Sequence, residues 1–334
     1  MKGQERVATI LKADEPDALA RAAEALDAGL LVAIPTETVY GLAADATNGE
    51  AVAGIFEVKG RPRFNPLIAH VASLEMAQSI GVFDETAVAL ARRFWPGPLT
   101  IVVPLKPDTA IHPLVTAGQD TVALRMPRGF GAALVARMGR PVAAPSANRS
   151  GRISPTSAEA VAADIGDRIA LIIDGGAAPV GVESTIVRVE DNVVRLLRPG
   201  GVAAEEIEAM GLTVRRNAPG AAVEAPGMLA SHYAPAAQVR LNAIRVNPGE
   251  ALLAFGPDRA AGHETAAAVL NLSPDGNLAE AAANLFAHLH ALDKADAAMI
   301  AVEPIPATGL GEAINDRLAR AAAPRHGAGA RSED

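Results

Sequence analysis

TVALRMPRGFGAALVARMGRPVAAPSAN, residues 121–148, decides the fold class. Thr121–Arg125 is a short apolar run of strand character, 129–138 places Ala, Leu and Val at helical spacing, and Val142–Ala144 is a second strand run ending in a polar loop. Strand, helix and strand in succession read as an α/β protein. Outward toward the N-terminus, the pattern predicts helix 16–28, strand Leu30–Pro35, helix 49–58, strand Leu67–Val71, helix 84–94 and strand Thr100–Pro104. Toward the C-terminus it predicts helix 157–164, strand Ala170–Asp174, and strands Ser184–Glu190 and Asn192–Arg198 meeting in a tight hairpin at Asp191. Such a hairpin makes the sheet mixed rather than purely parallel. Residues 217–236, rich in Pro, Gly and Ala, have no regular period and read as a linker. Beyond them, strand Ala251–Phe255, helix 277–292, strand Ala297–Val302 and helix 311–322 predict a second, smaller α/β unit. The expected organisation is therefore a first domain over 1–210, a linker or lid over 211–236, a small domain over 237–325 and a disordered tail over 326–334.

Composition narrows the chemistry. At 334 residues the chain exceeds what one core usually supports, which agrees with two domains. The absence of cysteine excludes disulfides, zinc–cysteine sites, iron–sulfur clusters and a cysteine nucleophile. No apolar run is long enough to span a membrane and the first residues carry charge, so a cytoplasmic location is expected. A net charge of −8 argues against strong direct binding of nucleic acid, which rests on phosphate neutralisation. Local clusters run the other way: Lys59-Gly-Arg-Pro-Arg63 holds three cations in five residues, and Arg125, Arg128, Arg149, Arg152, Arg195 and Arg198 lie near other motifs. A basic pocket in an acidic protein points to a small anion.

The chain has no GxxxxGK[ST], no complete GxGxxG, no GxSxG and no HExxH, so a nucleotide site would be of a less common kind. Ile34-Pro-Thr-Glu-Thr-Val-Tyr-Gly-Leu42 puts two hydroxyls, a carboxylate and a tyrosine at a strand's end, where α/β ligands bind, although it reads equally as a capped loop. Two prolines stiffen Lys59–Pro66 and pre-position its cations, as they also would in a solvated turn closing a helix. His70, at the end of the next strand, reads alone as a structural histidine. Pro145–Gly151 combines small residues, which let backbone amides approach an anion, with the polar side chains of Ser146 and Asn148. Gly181–Thr185 sets a hydroxyl pair before a strand and Arg198–Gly201 ends one on a cation.

Taken in order, PTETVYGL, KGRPRFNPL, FWPGPLT, VALRMP, PSAN, GVESTIV and LLRPG resemble the threonylcarbamoyl-AMP synthase (YrdC-type) family over roughly residues 15–205. APGMLASHYAP and EPIPATGLGEAINDRLARAA resemble its long two-domain form. The resemblance implies an open twisted mixed sheet followed by a smaller Rossmann-like domain. It also implies the reaction of L-threonine, bicarbonate and ATP to threonylcarbamoyl-AMP and pyrophosphate. Magnesium would come with the ATP and no metal site would be built by the protein. The adenylate would pass to a separate tRNA threonylcarbamoyl transferase for N6-threonylcarbamoyladenosine at position 37.

The family tetrad carries over to Lys59, Arg61, Ser146 and Asn148, implied to contact the phosphates and the carbamoyl-adenylate. Thr36, His70, Arg125 and Ser184 match positions around threonine; Arg63, Thr121, Thr156 and Arg198 are further ATP candidates, and Tyr233 resembles a residue closing over the pocket. Two other readings remain at this stage: a non-catalytic RNA-binding protein on the same sheet, and a carbamoyl transferase using carbamoyl phosphate.

Overall fold

Residues 121–148 fold as a strand, a helix and a strand, and the computed structural model describes residues 8–190, 193–217, 224–227, 232–295 and 297–324. Its strands are β1 (Thr9–Lys12), β2 (Val32–Ile34), β3 (Gly41–Asp45), β4 (Ile68–His70), β5 (Leu99–Pro104), β6 (Thr121–Arg125), β7 (Val142–Ala143), β8 (Leu171–Asp174), β9 (Thr185–Glu190), β10 (Val193–Arg198), β11 (Thr213–Arg216), β12 (Gln238–Arg240), β13 (Ala251–Ala254), β14 (Ala268–Asn271) and β15 (Met299–Val302). The helices are α1 (Ala18–Asp27), α2 (Gly49–Lys59), α3 (Leu74–Ile80), α4 (Glu85–Phe94), α5 (Pro113–Thr116), α6 (Phe130–Met138), α7 (Ala158–Ile165), α8 (Ala204–Glu208), α9 (Leu278–Asp293) and α10 (Leu310–Ala322).

The first eleven strands make one mixed sheet in the order β1-β8-β2-β3-β7-β4-β6-β5-β9-β10-β11. The hairpin strands β9 and β10 pair antiparallel, with Val193 opposite Glu190; the turn at Asp191 lies outside the described residues, as does the tail 326–334. Residues 213–216, expected in the linker, instead extend the sheet as β11, parallel to β10. The buried β3 went unforeseen because Gly-Leu-Ala-Ala-Asp has little strand propensity; its place is set by pairing with β2 and β7.

Side-chain alternation sorts the two faces of the sheet. On one face α1 and α6 pack Ala22, Leu26, Leu134 and Val135 against Val32, Ile34 and Ile173, while α2 and α4 pack against Ile101, Val103 and Leu124. On the other face α7 covers Ala33, Leu42 and Ile172. Beside α7 that face carries Ile68, Val102, Ala123, Ile186 and Leu197, and Ala225 packs onto them. The functional motifs gather on this second face.

The smaller unit has four parallel strands in the order β12-β15-β13-β14. Its core includes Leu285, Phe286 and Leu289 of α9, each fully buried and worth about 1.5–3 kcal/mol, and it is continuous with Val39, Ile153 and Val182 of the large sheet's unit. Gly181 allows the two to meet: it has φ +75°, and a Cβ there would lie 2.2 Å from the Ala282 carbonyl oxygen. At the start of α10, Gly309 N–H donates to Glu205 (3.0 Å) and Arg216 forks onto Glu312 (2.6 and 3.0 Å). Among the described residues no helix is long and apolar enough to cross a membrane.

Candidate active site

Helix α2 delivers the first cations. Asn48 caps its start by accepting from the Glu50 and Ala51 amides, and Gly60, at φ +58°, closes it in a Schellman turn (Arg61 N to Phe56 O, 2.9 Å; Gly60 N to Glu57 O, 3.1 Å). Lys59 thereby falls in the last turn and points at the 145–151 loop. Its Nζ donates to Ser146 O (2.5 Å), Asn148 O (2.5 Å) and Asn148 Oδ1 (3.5 Å), and Ser150 N–H returns a bond to Lys59 O (2.8 Å). Burial, and next Arg61, push the Lys59 pKa well below its ordinary value. Three acceptors oppose that shift, because only the ammonium form has three protons to give. Lys59 is thus a buried staple that shapes the Ser146–Asn148 backbone. Asn148 in turn donates to Arg149 O (2.9 Å) and Arg152 O (2.8 Å). Arg61 is fixed through Asn65 O (3.1 Å) and Pro66 O (2.7 Å); burial and Arg198 lower its pKa to about 10, which leaves it charged at neutral pH.

A second group forms at the ends of β2, β4 and β6. Parallel pairing of β4 and β6 sets His70 beside Arg125. Arg125 donates to Thr38 Oγ1 (3.0 Å) and Gly97 O (3.2 Å) and pairs with Glu37 (2.8 Å). Burial alone would raise the Glu37 pKa, but Arg125 and the Arg128 amide outweigh it and hold the group ionised. His70 is 2% exposed, and its Nδ1 has no hydrogen-bond partner among the described residues. Burial and Arg125 push its pKa well down, so the ring is neutral.

The third group joins the β9–β10 hairpin to the segment beyond the sheet. Arg198 donates to Ser184 O (3.1 and 2.8 Å), Ser184 Oγ (3.2 Å) and Pro226 O (3.2 Å), while Ser184 Oγ lies 2.8 Å from Thr100 Oγ1. Gly200 makes the turn possible, since a Cβ there would lie 2.3 Å from Glu183 O and 2.4 Å from Thr185 N. Glu183 accepts from Ser154 Oγ (2.5 Å) and Arg317 Nε (2.8 Å). Burial pushes this carboxyl up, yet Arg317, Arg198 and Ser154 together hold it at about 2. His232 is kept neutral, its pKa lowered to about 3 chiefly by burial.

These groups enclose a cavity of about 50 Å³ walled by Thr38, His70 and Arg125 on one side, Arg61 and Ser146 at the middle, and Glu183, Ser184, Arg198, His232 and Tyr233 on the other. Such a volume holds a few waters. Of the residues singled out in the sequence, Arg61, Ser146, His70, Arg125, Ser184, Arg198 and Tyr233 converge here. Lys59 and Asn148 stand behind the wall and shape it. Thr36 turns away, its hydroxyl donating to Val39 O (2.6 Å), and Thr38 takes the place on the wall. Arg63 is exposed on its loop, and Thr121 begins β6, about 13 Å of strand from Arg125. Thr156 lines a separate cavity of about 530 Å³ between α7 and α9. Sequence reasoning passed over Thr38, Glu183, His232 and Arg317. All four sit inside quoted motifs, but nothing local distinguishes a wall residue from its neighbour two positions away or joins Arg317 to Glu183. The arrangement suits a ligand with separate anionic groups: three guanidiniums, three small hydroxyl residues and two neutral imidazoles surround one carboxylate that is already engaged.

A family model described as telomere recombination matches residues 24–200, and one described as threonylcarbamoyl-AMP synthase, C-terminal domain, matches residues 202–323. The threonylcarbamoyl-AMP synthase of Bacillus subtilis (strain 168) is 41% identical, covering 94% of this chain and 95% of its own. That of Pyrococcus abyssi is 42% identical over 88% of this chain and 90% of its own. The crystal structure of P. abyssi Sua5 complexed with L-threonine has a TM-score of 0.84 and 38% identity, covering 95% of this chain and 97% of that one.

Proposed function

Because the chain belongs to the threonylcarbamoyl-AMP synthase family, we propose that its cavity joins L-threonine, bicarbonate-derived carbon dioxide and ATP into threonylcarbamoyl-AMP, releasing pyrophosphate. The carrying observation is the convergence of Arg61, Arg125 and Arg198 with Ser146 and Ser184 on one sheet face. Threonine is a substrate consistent with the Thr38–His70–Arg125 side. There Glu37 and Gly97 O hold the Arg125 guanidinium in a fixed orientation toward a carboxylate, the geometry for which arginine is suited. Arg61 and Arg198 are assigned to the phosphates, with the Lys59-stapled Ser146–Asn148 loop offering polar groups to the same charge. Arg63, Thr121 and Thr156 stand apart from this cavity and are proposed only as outer contacts of the nucleotide.

In the reaction the threonine nitrogen, free of its extra proton, bonds to the carbon of carbon dioxide, and the carbamate sheds a proton. A carbamate oxygen then attacks the α-phosphorus as the bond to pyrophosphate breaks. No protein atom forms a covalent bond; the residues hold reactants in register and stabilise spreading negative charge. Both carboxylates near the reactants, Glu37 and Glu183, are committed to arginines, so magnesium would be held by the triphosphate itself. A triphosphate needs more room than the closed cavity has, so Ala225–Gly227 and His232–Tyr233 are assigned as a cover that yields to the nucleotide and then excludes water. The adenylate is proposed to serve N6-threonylcarbamoylation of tRNA by a separate transferase. Pyrophosphate release from ATP with bicarbonate and magnesium, with and without threonine, tests the assignment: threonine-dependent release is expected, and its absence from folded protein would refute it.

A further inference from the structure

Arg317 does not border the cavity, yet it touches two residues that do. It lies in the middle of α10, in the small unit, and is 0% exposed. Its Nε donates to Glu183 Oε2 (2.8 Å), its Nη1 donates to Asp316 Oδ2 (2.7 Å), and its guanidinium carbon stands 5.2 Å from the centre of the Tyr233 ring. That tyrosine ring is also stacked on Phe286 of α9, with centroids 5.5 Å apart, and His232 meets it edge-on at 4.1 Å. Glu183 and Tyr233 are therefore both aimed by one cation from an element remote in sequence. The helix carrying that cation is itself anchored to the large sheet's unit through Gly309–Glu205 and Arg216–Glu312, and its Arg320 O accepts from the His232 amide of the cover (3.3 Å).

We propose that Arg317 is a positioning residue for nucleotide binding: it orients Glu183 and the Tyr233 ring, so that the small unit completes the Arg198 side of the cavity rather than only capping the fold. The proposal rests on the assignment of that side to ATP. A bare structural ion pair is the alternative, since breaking a buried pair destabilises whatever its role. The two differ in what they do to the kinetics. Loss of folded protein lowers turnover per mole of chain and leaves both KM values alone, whereas a mis-set wall changes the KM of the ligand it contacts. The wall is shared unequally, because the hydrogen bonds and ring contact of Arg317 go to Glu183, Asp316 and Tyr233, whereas Arg125 is held by Thr38, Gly97 and Glu37.

The experiment uses the full chain with Arg317→Met, Arg317→Lys, and the double variant Arg317→Met/Glu183→Gln, which removes the stranded charge if the single variant does not fold. Initial rates of pyrophosphate release give separate KM values for ATP and threonine, and direct titration gives ATP affinity. We expect the KM for ATP, and its dissociation constant, to rise roughly tenfold in Arg317→Met while the KM for threonine changes less than about twofold. Arg317→Lys, which keeps a charge near Glu183 but loses the planar contact with the ring, should fall between. Wild-type ATP affinity in folded Arg317→Met, or in the folded double variant, overturns the assignment, as do equal changes in both KM values. Wild-type chain that binds ATP but releases no pyrophosphate would instead overturn the proposed reaction, and the affinity series would still decide the role of Arg317.

Discussion

Lys59 shows how a residue's type and its use can part company. Three oxygens surround its ammonium, so Lys59→Met leaves buried acceptors unsatisfied and frees the 145–151 loop. Turnover should fall at least about a hundredfold, equivalent to about 2.7 kcal/mol. Arg61→Ala should cut turnover comparably with less loss of stability, since it removes a cation from the cavity wall; near-normal pyrophosphate release in either variant contradicts the assignment. The two buried histidines make a separate prediction about pH. His70 and His232 have folded-state pKa values below the ordinary 6.5, so the unfolded chain binds more protons than the folded one on acidification below that value. Their stabilisation is complete above pH 6.5 and declines as pH falls toward the folded values, by about 1.4 kcal/mol per pH unit for each ring. Glu183 adds nothing to this window, because its share persists above the ordinary 4.5 and is lost only as pH falls through about 2. Denaturant midpoints at constant ionic strength should therefore drop from pH 7 to pH 5.5, and His232→Gln should flatten the slope; a flat wild-type profile counts against neutral burial.

Among elements, the β9–β10 hairpin shapes the cavity through its backbone as well as through the Arg198 side chain. Gly200 lies against the Glu183–Thr185 backbone, and a methyl group there would have to push that strand entrance away. Gly200→Ala is expected to lower stability by about 1–3 kcal/mol, as overpacking does, and to lose activity beyond what the lost folded fraction explains. Thermal melts paired with rates at saturating substrate will show whether the two losses separate. The hairpin strands were legible from their apolar runs, and so was the loop after β7 from its Pro-Ser-Ala-Asn composition. β3 and β11 were not: the first is too poor in strand-forming residues, and the second is a run of Thr-Val-Arg-Arg that becomes a strand only because β10 offers a free edge.

At the scale of the whole molecule, the two units share one apolar cluster and a buried ion pair, so the smaller one is proposed to act on the site from a distance. A chain ending at Asn217 keeps all eleven strands of the large sheet but loses Tyr233, Phe286 and Arg317. It should retain a cooperative unfolding transition by circular dichroism and lose at least about a hundredfold in adenylate formation; full activity would remove the cover and the small unit from the mechanism. By itself the sequence determined the α/β class, the mixed character of the sheet and the basic, hydroxyl-bearing motifs, because periodicity and motif chemistry are written within a few residues of each other. Only the tertiary structure decided that Thr38 rather than Thr36 faces the cavity, that Lys59 holds a loop, and that Glu183 and Tyr233 answer to Arg317. Those choices depend on which strands become neighbours and which faces they share, and local sequence carries no record of contacts between residues more than a hundred positions apart, as Glu183 and Arg317 are.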